Sequence, residues 1–145
     1  MVKPEKNNRS PLGIETISLI APVSGVLMPV EKVPDPVFAQ KMVGEGISID
    51  PVTANLIAPC SGKITQLHSS KHAVTIETET GIEVMIHVGL DTVRLKGRGF
   101  TSKVSTGDTV KCGDLLLTFD AEYLATNAKS LLTQIIITNS DRIDS

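Results

Sequence analysis

The sequence predicts an all-β fold, an antiparallel β-sandwich or barrel with a duplicated β-unit and one or two short helices. Of its 145 residues, 41% are hydrophobic but only 3% are aromatic, so the core must be built from Val, Ile and Leu, which favour strands. The apolar stretches are short, and 11 Gly and 8 Pro residues separate them with turns. The motif Leu-Ile-Ala-Pro-x-Ser-Gly occurs at 19–25 and again at 56–62, which indicates duplication about a pseudo-two-fold axis.

Seven segments combine β-branched residues with flanking turn residues and are predicted to contain strands. In chain order they are 14–21, 47–51, 55–67, 72–79, 82–88, 103–120 and 134–139. In each copy of the repeated motif, one strand leads into the Pro-x-Ser-Gly turn and a second strand follows it. Within the sixth segment, TGDTVKCGD (106–114) is typical of two tight turns around a short edge segment.

Two segments carry helix signals. Residues 120–132 predict a helix with Asp120 as its N-cap and Leu124 facing inward. Residues 35–42 predict a short turn of helix, because Pro36 suits a first helical position.

Length and composition also limit the organisation of the chain. We expect the polar residues 1–12 to form a flexible tail and residues 13–145 to form a single domain. A net charge of -2 argues against nucleic acid or an anionic membrane as partner. Because no stretch is apolar over the roughly 18 residues of a transmembrane helix and no signal-peptide pattern is present, we expect a cytoplasmic protein without membrane insertion.

The segment SKHAVTIETETGIEVMIHVGLDT (70–92) predicts a hairpin with His72 and His87 near its two ends. A two-residue turn within 79–81 brings both histidines to one apolar face. A three-residue loop pairs Val74 with Ile86, which matches the apolar faces better, but it sends the histidines to opposite faces unless a bulge intervenes. The strand pattern leaves both registers open.

A pair of imidazoles can bind a metal or act as nucleophile and hydrogen-bond donor in phosphoryl transfer. Zinc requires at least three protein ligands, and the chain has neither HxH nor HExxH. Cys60 and Cys112 match no zinc or redox spacing and are expected to be reduced, buried thiols. We therefore expect no required cofactor and no intrinsic metal site; an adventitious or partner-bridged zinc on His72 and His87 is the metal chemistry left open. His68 is assigned a structural role.

The segment 70–100, ending in IHVGLDTVRLKGRGF, resembles the signature of the glucose-family IIA component of the bacterial phosphoenolpyruvate-dependent sugar phosphotransferase system. Further similar segments are VPDPVFAQKMVGEGISIDP, LIAPCSGKI, GDLLLTFD and IIITN, so that the resemblance runs from Ile14 to Asn139. It implies a phosphotransferase component that accepts a phosphoryl group from the carrier protein HPr. The group then passes to a cysteine of a IIB domain for sugar uptake and phosphorylation.

The resemblance also implies roles for residues around the histidines. His87 is expected to carry the phosphoryl group on Nε2, and His72 to donate a hydrogen bond to the phosphoryl oxygens. Ser70 is expected to orient His72, and a backbone carbonyl near Gly89 to hold Nδ1 of His87.

A docking surface for HPr and IIB is implied around the site. Its expected apolar and acidic members are Asp35, Val37, Phe38, Met42, Val43, Met85 and Asp91. From residue type alone, the two acids are equally well interpreted as solvated turn residues. The helical spacing of Phe38, Met42 and Val43 is equally typical of plain core.

Two other classes of protein share parts of this pattern. A biotinyl- or lipoyl-type carrier domain is also a duplicated β-sandwich, but it needs a modifiable Lys at a hairpin tip. Lys41-Met42 is the nearest match and is not expected between strands. A zinc peptidase of related architecture requires the missing HxH. The sugar itself is not encoded here, because the resemblance assigns sugar specificity mainly to IIB and the membrane domain IIC.

Overall fold

The computed structural model describes residues 18–139, which form two antiparallel β-sheets and two short helices. The strands are β1 Gly25–Pro29, β2 Glu45–Pro51, β3 Asn55–Ile57, β4 Gly62–Leu67, β5 Ala73–Glu77, β6 Glu83–His87, β7 Phe100–Ser102, β8 Thr109–Val110, β9 Leu115–Phe119 and β10 Thr133–Ile137. The helices are α1 Pro36–Ala39 and α2 Ala121–Asn127, and single 3-10 turns span Val30–Lys32 and Val93–Leu95. The predicted all-β class is confirmed.

The seven-stranded sheet has the order β1-β2-β10-β6-β5-β4-β8, and the three-stranded sheet has the order β3-β9-β7. One main core contains buried residues of both sheets, such as Ile76 and Ile86 from the large sheet and Leu56 and Leu117 from the small one. Alternate residues of β5 and β6 are buried, so each strand turns one face to this core. The opposite face of β6 carries Met85 and His87.

The repeated motif forms a symmetric contact. Ile20 N–H donates to Pro59 O at 3.0 Å, and Ile57 N–H donates to Pro22 O at 2.8 Å. Since Ile20 and Ile57 are equivalent positions of the two copies, as are Pro22 and Pro59, the copies pair through a local two-fold relation. This supports the predicted duplication.

The first copy nevertheless differs from the second at its start. Residues 18–24 are irregular, although β3 occupies the matching position in the second copy. The strand expected at 14–21 is therefore absent from 18–21, while 14–17 and the tail 1–12 lie outside the described residues. The segment makes backbone contacts with Pro59 and Ile57 but adds no continuous ladder to the small sheet.

The predicted cap at Asp120 is confirmed, and Asp35 is a second cap that was not predicted. The Asp35 side chain accepts from Val37 N–H and that of Asp120 from Tyr123 N–H, both at 3.0 Å. Helix α2 ends at Asn127, earlier than expected, because the chain is extended again at Ala128 and leads into β10. The short β8 forms one edge of the large sheet, between the turns at 106–108 and 111–114.

The two cysteines differ in burial. Cys60 is buried, and burial together with the nearby Cys112 raises the pKa of its thiol to about 12. Cys112 is half-buried, not buried as expected, and both are free thiols. Cys60 is thus an unreactive core residue at neutral pH.

Candidate functional site

The hairpin that carries the two histidines has a three-residue loop. Val74 lies opposite Ile86 and Glu77 opposite Glu83, with Thr78 N–H donating to Ile82 O across residues 79–81. This is the register with the better apolar match. The pairing of β5 with β6 is continuous. The prediction that the histidines can meet only through a two-residue turn or a bulge is therefore wrong.

The histidines meet because His72 precedes β5 and does not follow its alternation. Lys71 has a left-handed backbone, with φ of 60°, and this turn reorients the chain just before the strand begins. The His72 carbonyl still accepts from Val88 N–H at 2.7 Å. The ring centroids of His72 and His87 are 4.8 Å apart at an interplanar angle of 82°. Strand periodicity therefore gave the wrong face for His72.

One nitrogen of His87 is held and the other is left for chemistry. Nδ1 lies 2.9 Å from the Gly89 carbonyl oxygen, so it carries the proton and Nε2 keeps its lone pair in the neutral ring. Gly89 has φ of +77°, and a Cβ added there would lie 2.6 Å from Thr92 Cγ2. Glycine is thus required for the carbonyl to take this position.

Both imidazoles favour the neutral state. Burial lowers the pKa of His87, while the Gly89 carbonyl, Asp35 and Gln134 act in the opposite direction. Burial, followed by the proximity of His87 and His68, lowers the pKa of His72 to about 4. A neutral His87 is the nucleophilic form, and a neutral His72 retains one N–H to donate.

A third imidazole extends the pair. The His68 ring centroid lies 4.5 Å from that of His72, and Nδ1 of His68 accepts from Ser70 N–H at 3.0 Å. His68, assigned a structural role from sequence, is therefore next to the site. The Ser70 hydroxyl does not hold Nδ1 of His72, which is buried without a hydrogen-bond partner. The Ser70 backbone acts on both rings, since its N–H donates to Nδ1 of His68 and its backbone opposes the lowering of the His72 pKa. Orientation of His72 by the Ser70 hydroxyl stays a prediction.

The expected docking residues divide into packed and exposed members. Phe38 is buried with Val30 and Leu90 in a second small core, against which Val43 and Met85 pack. The Phe38 ring also lies 5.0 Å from the His87 ring, centroid to centroid. Phe38 and Val43 therefore pack as core residues, which is the alternative to a docking role that their helical spacing left open. Val37 and Met42 are exposed by 42% and 69%, so the plain-core interpretation does not hold for Met42.

The two acidic residues have different surroundings. Asp35 caps α1, and its charge opposes the lowering of the His87 pKa, so it lies within electrostatic reach of the imidazole. Asp91 is exposed, has φ of 59° and forms an ion pair with Arg94 at 2.6 Å. Asp35 thus supplies negative charge near the ring, whereas the charge of Asp91 is shared with Arg94.

Sequence reasoning missed Gln134. This residue lies directly opposite His87 across the β10–β6 pairing and is 0% exposed. The sequence signal that could have identified it is a single amide residue directly before the apolar run of three isoleucines. A buried amide in such a strand requires polar partners and points to a polar site.

Lowering the pH should destabilise the protein through His72. Its pKa of about 4 in the folded state lies below the unfolded value of about 6.5, so between these values the unfolded chain binds more protons. The free energy of unfolding should therefore fall as pH drops from about 7 to 4, by about 2 to 4 kcal/mol for a full shift of this size. Urea unfolding at several pH values measures this slope, which His72→Gln should reduce; an equal slope in the variant would contradict the assignment.

Comparisons with known proteins identify the family and the fold. Residues 17–143 match the family described as "phosphoenolpyruvate-dependent sugar phosphotransferase system, EIIA 1". The chain is 47% identical over 131 residues to the PTS system glucose-specific EIIA component of Staphylococcus epidermidis, covering 90% of this chain and 79% of that protein. It is 46% identical over 127 residues to the protein of that name from Oceanobacillus iheyensis, covering 88% and 77%. The solved glucose permease IIA from Mycoplasma capricolum superimposes with a TM-score of 0.82 at 38% identity, covering 84% of this chain and 79% of that one.

Proposed function

The chain belongs to the EIIA 1 family of the phosphoenolpyruvate-dependent sugar phosphotransferase system, and from this membership we propose that it is a phosphocarrier acting through His87. The phosphoryl group comes from HPr and passes to a cysteine of a IIB domain. The observation that carries the proposal is the fixed His87 ring: Nδ1 lies against the Gly89 carbonyl, and the ring faces His72. The names of the relatives favour glucose as the sugar, and the place of action that we propose is the cytoplasm.

The chemistry consists of two displacements at phosphorus. The Nε2 lone pair of His87 attacks the phosphorus held by HPr, and the bond from phosphorus to the donor breaks with its electron pair remaining on the donor atom. The ring becomes positively charged, and the hydrogen bond from Nδ1–H to Gly89 O stabilises it. A IIB thiolate then attacks the phosphorus, the Nε2–P bond breaks, and His87 returns to its neutral form.

The surroundings suit a transient phosphohistidine. Phe38 contacts one side of the His87 ring and His72 another, which restricts water around Nε2. His72 is the group positioned to donate to phosphoryl oxygens. Val37 and Met42 offer an exposed apolar surface of the kind that forms the centre of a docking interface.

Incubation with phosphoenolpyruvate, enzyme I and HPr tests the proposal. Intact-mass measurement should show a gain of one phosphoryl group that is labile in acid and stable in base, and tandem mass spectrometry should locate it on His87. Addition of a glucose-type IIB domain should remove it. No HPr-dependent labelling, or labelling that IIB cannot discharge, would overturn the proposal.

The biotinyl- or lipoyl-type alternative is not favoured. Lys41 lies in the connection 30–44 between the paired strands β1 and β2, so the expectation that it is not between strands is wrong. That connection is long and contains α1, so it is not a tight hairpin tip, and Lys41 pairs with Glu31 and Glu45 at 3.4 and 3.1 Å. A lysine modified by a ligase requires an accessible, unpaired amine, which this contact pattern does not provide.

Met42→Glu should weaken docking without altering the chemistry at His87. The variant places a charge on the exposed apolar surface, which disfavours burial against a partner. We expect the KM for phosphorylated HPr to rise about tenfold, with kcat changed less than about twofold. Steady-state labelling at increasing HPr concentration measures both values.

Val52→Glu is the matched control for the docking variant. Val52 is 76% exposed, like Met42 an apolar surface residue, and follows β2 near Ser24. The control should retain the KM of the unmodified protein. Equal effects of the two substitutions would show that general surface charge, and not docking at Met42, is responsible.

A further inference from the structure

A row of polar side chains runs across the large sheet to His87. Ser48 of β2 lies opposite Gln134 of β10, and Gln134 lies opposite His87 of β6. Directly opposed residues point to the same face of a sheet. Gln134 therefore has Ser48 on one side and His87 on the other, and it is fully buried.

The amide nitrogen of Gln134 is anchored on the Ser48 side. Nε2 donates to Leu132 O at 2.9 Å and to Ser48 Oγ at 3.3 Å. Ser48 Oγ itself donates to Thr133 O, at 3.4 Å, so it meets the amide with a lone pair. Both amide hydrogens are thus used. A flipped amide would set its carbonyl oxygen against the Leu132 carbonyl oxygen, which fixes the assignment of N and O.

The amide oxygen of Gln134, in contrast to the nitrogen, is unpaired. Oε1 is buried and has no hydrogen-bond partner at normal distance and angle. Its anchored nitrogen directs it away from Ser48, toward the strand that carries His87. A buried carbonyl oxygen without a hydrogen-bond donor is unfavourable. The unpaired Oε1 is best explained if a neighbouring group becomes a donor in another protonation state of the site.

We propose that Gln134 is a positioning residue for His87, whose amide oxygen accepts the Nε2–H of the protonated ring. The proton must leave Nε2 before its lone pair can attack phosphorus. Gln134 therefore holds the protonated ring in place and sets how readily His87 loses this proton to water and becomes a nucleophile. The second half of this inference rests on the proposed phosphocarrier function; the hydrogen bond itself does not.

Other groups around the ring act on the same proton. Burial is the largest influence and lowers the pKa of His87, while Asp35, from the cap of α1, raises it. His68, from the β4–β5 connection, lowers it, and the adjacent His72 is itself kept neutral partly by His87. Gln134, like Asp35, raises the pKa of His87, but it acts from β10 and through an uncharged amide.

Titration of His87 followed by its ring ¹⁵N and ¹³C shifts tests the inference on the unphosphorylated protein. Gln134→Leu removes the acceptor at similar volume and should lower the pKa of His87 by about half a unit to one unit. Ser48→Ala, which loosens the amide while retaining it, should cause a smaller lowering. Gln66→Leu is the matched control, since Gln66 is exposed on β4, and should leave the pKa unchanged.

The rate of labelling by HPr then separates the two levels of the inference. Below the pKa of His87, Gln134→Leu should accept phosphoryl about threefold to tenfold faster than the unmodified protein, because more of its rings are neutral. Gln134→Met serves if the leucine variant does not fold. An unchanged His87 pKa in the folded variant overturns the proposal about Gln134. A lowered His87 pKa without any HPr-dependent labelling would support the proposed hydrogen bond and would contradict the phosphocarrier function.

Discussion

His87→Gln should abolish phosphoryl acceptance. The amide of glutamine can occupy part of the imidazole position, but it has no nucleophilic lone pair comparable to Nε2. The surrounding donors and the docking surface remain, so the loss reports on the nucleophile itself. We expect HPr-dependent labelling to fall by more than about a thousandfold, as is typical when a nucleophile is removed. Radiolabelled phosphoenolpyruvate with enzyme I and HPr gives the measurement.

His68→Gln is the matched control for this loss. It replaces an imidazole in the same row by the same amide, but His68 is separated from His87 by His72. Labelling of this variant should stay within about tenfold of the unmodified protein. Equal labelling of His87→Gln and the unmodified protein would contradict the assignment, and mass mapping would then identify the nitrogen that is modified.

Most strands of this fold were predictable because they combine a strong local signal with a turn, but β7, Phe100–Ser102, lies outside every predicted segment. Strand β6 alternates buried and half-buried residues, and Asp120 caps its helix in the expected way. The apolar match of Val74 with Ile86 correctly favoured the three-residue loop. What local pattern could not supply was the left-handed backbone at Lys71. One such residue at a strand boundary reverses the face of its neighbour, and lysine carries no sequence signal for it.

The site was only partly predictable from the sequence. The resemblance to a family supplied His72, His87 and the carbonyl at Gly89, whose contact with Nδ1 is present in the structure. Gln134 was missed because its partner is 47 positions away, in a strand whose neighbours are known only from the sheet order. Phe38 and Val43 gave no signal that separates core from interface, since an apolar residue suits both, and the structure packs both in the second core. The pairing of distant strands is a tertiary property, and local periodicity does not encode it.

His72→Gln should separate the two phosphoryl transfers. Uptake from HPr depends mainly on the Nε2 lone pair of His87, so it should stay within about tenfold of the unmodified protein. Release is more demanding, because an anionic thiolate approaches a phosphoryl group that already carries negative charge. His72 is neutral at rest, with a pKa of about 4, but the phosphoryl anion beside it favours its protonation. A glutamine amide cannot take up that proton.

We therefore expect transfer from phosphorylated His72→Gln to a IIB domain to slow by about a hundredfold to a thousandfold, the usual cost of removing one donor that stabilises developing charge. Rapid-quench measurement of a single turnover, starting from the isolated phosphoprotein, reports this step without the uptake step. The His68→Gln protein shows how much of the slowing comes from losing a neighbouring imidazole, because the His68 ring contacts that of His72. Transfer at the normal rate from His72→Gln would eliminate the donor role. Equal slowing of uptake and release would mean instead that His72 acts by holding the His87 ring in place, through the contact of 4.8 Å between their centroids.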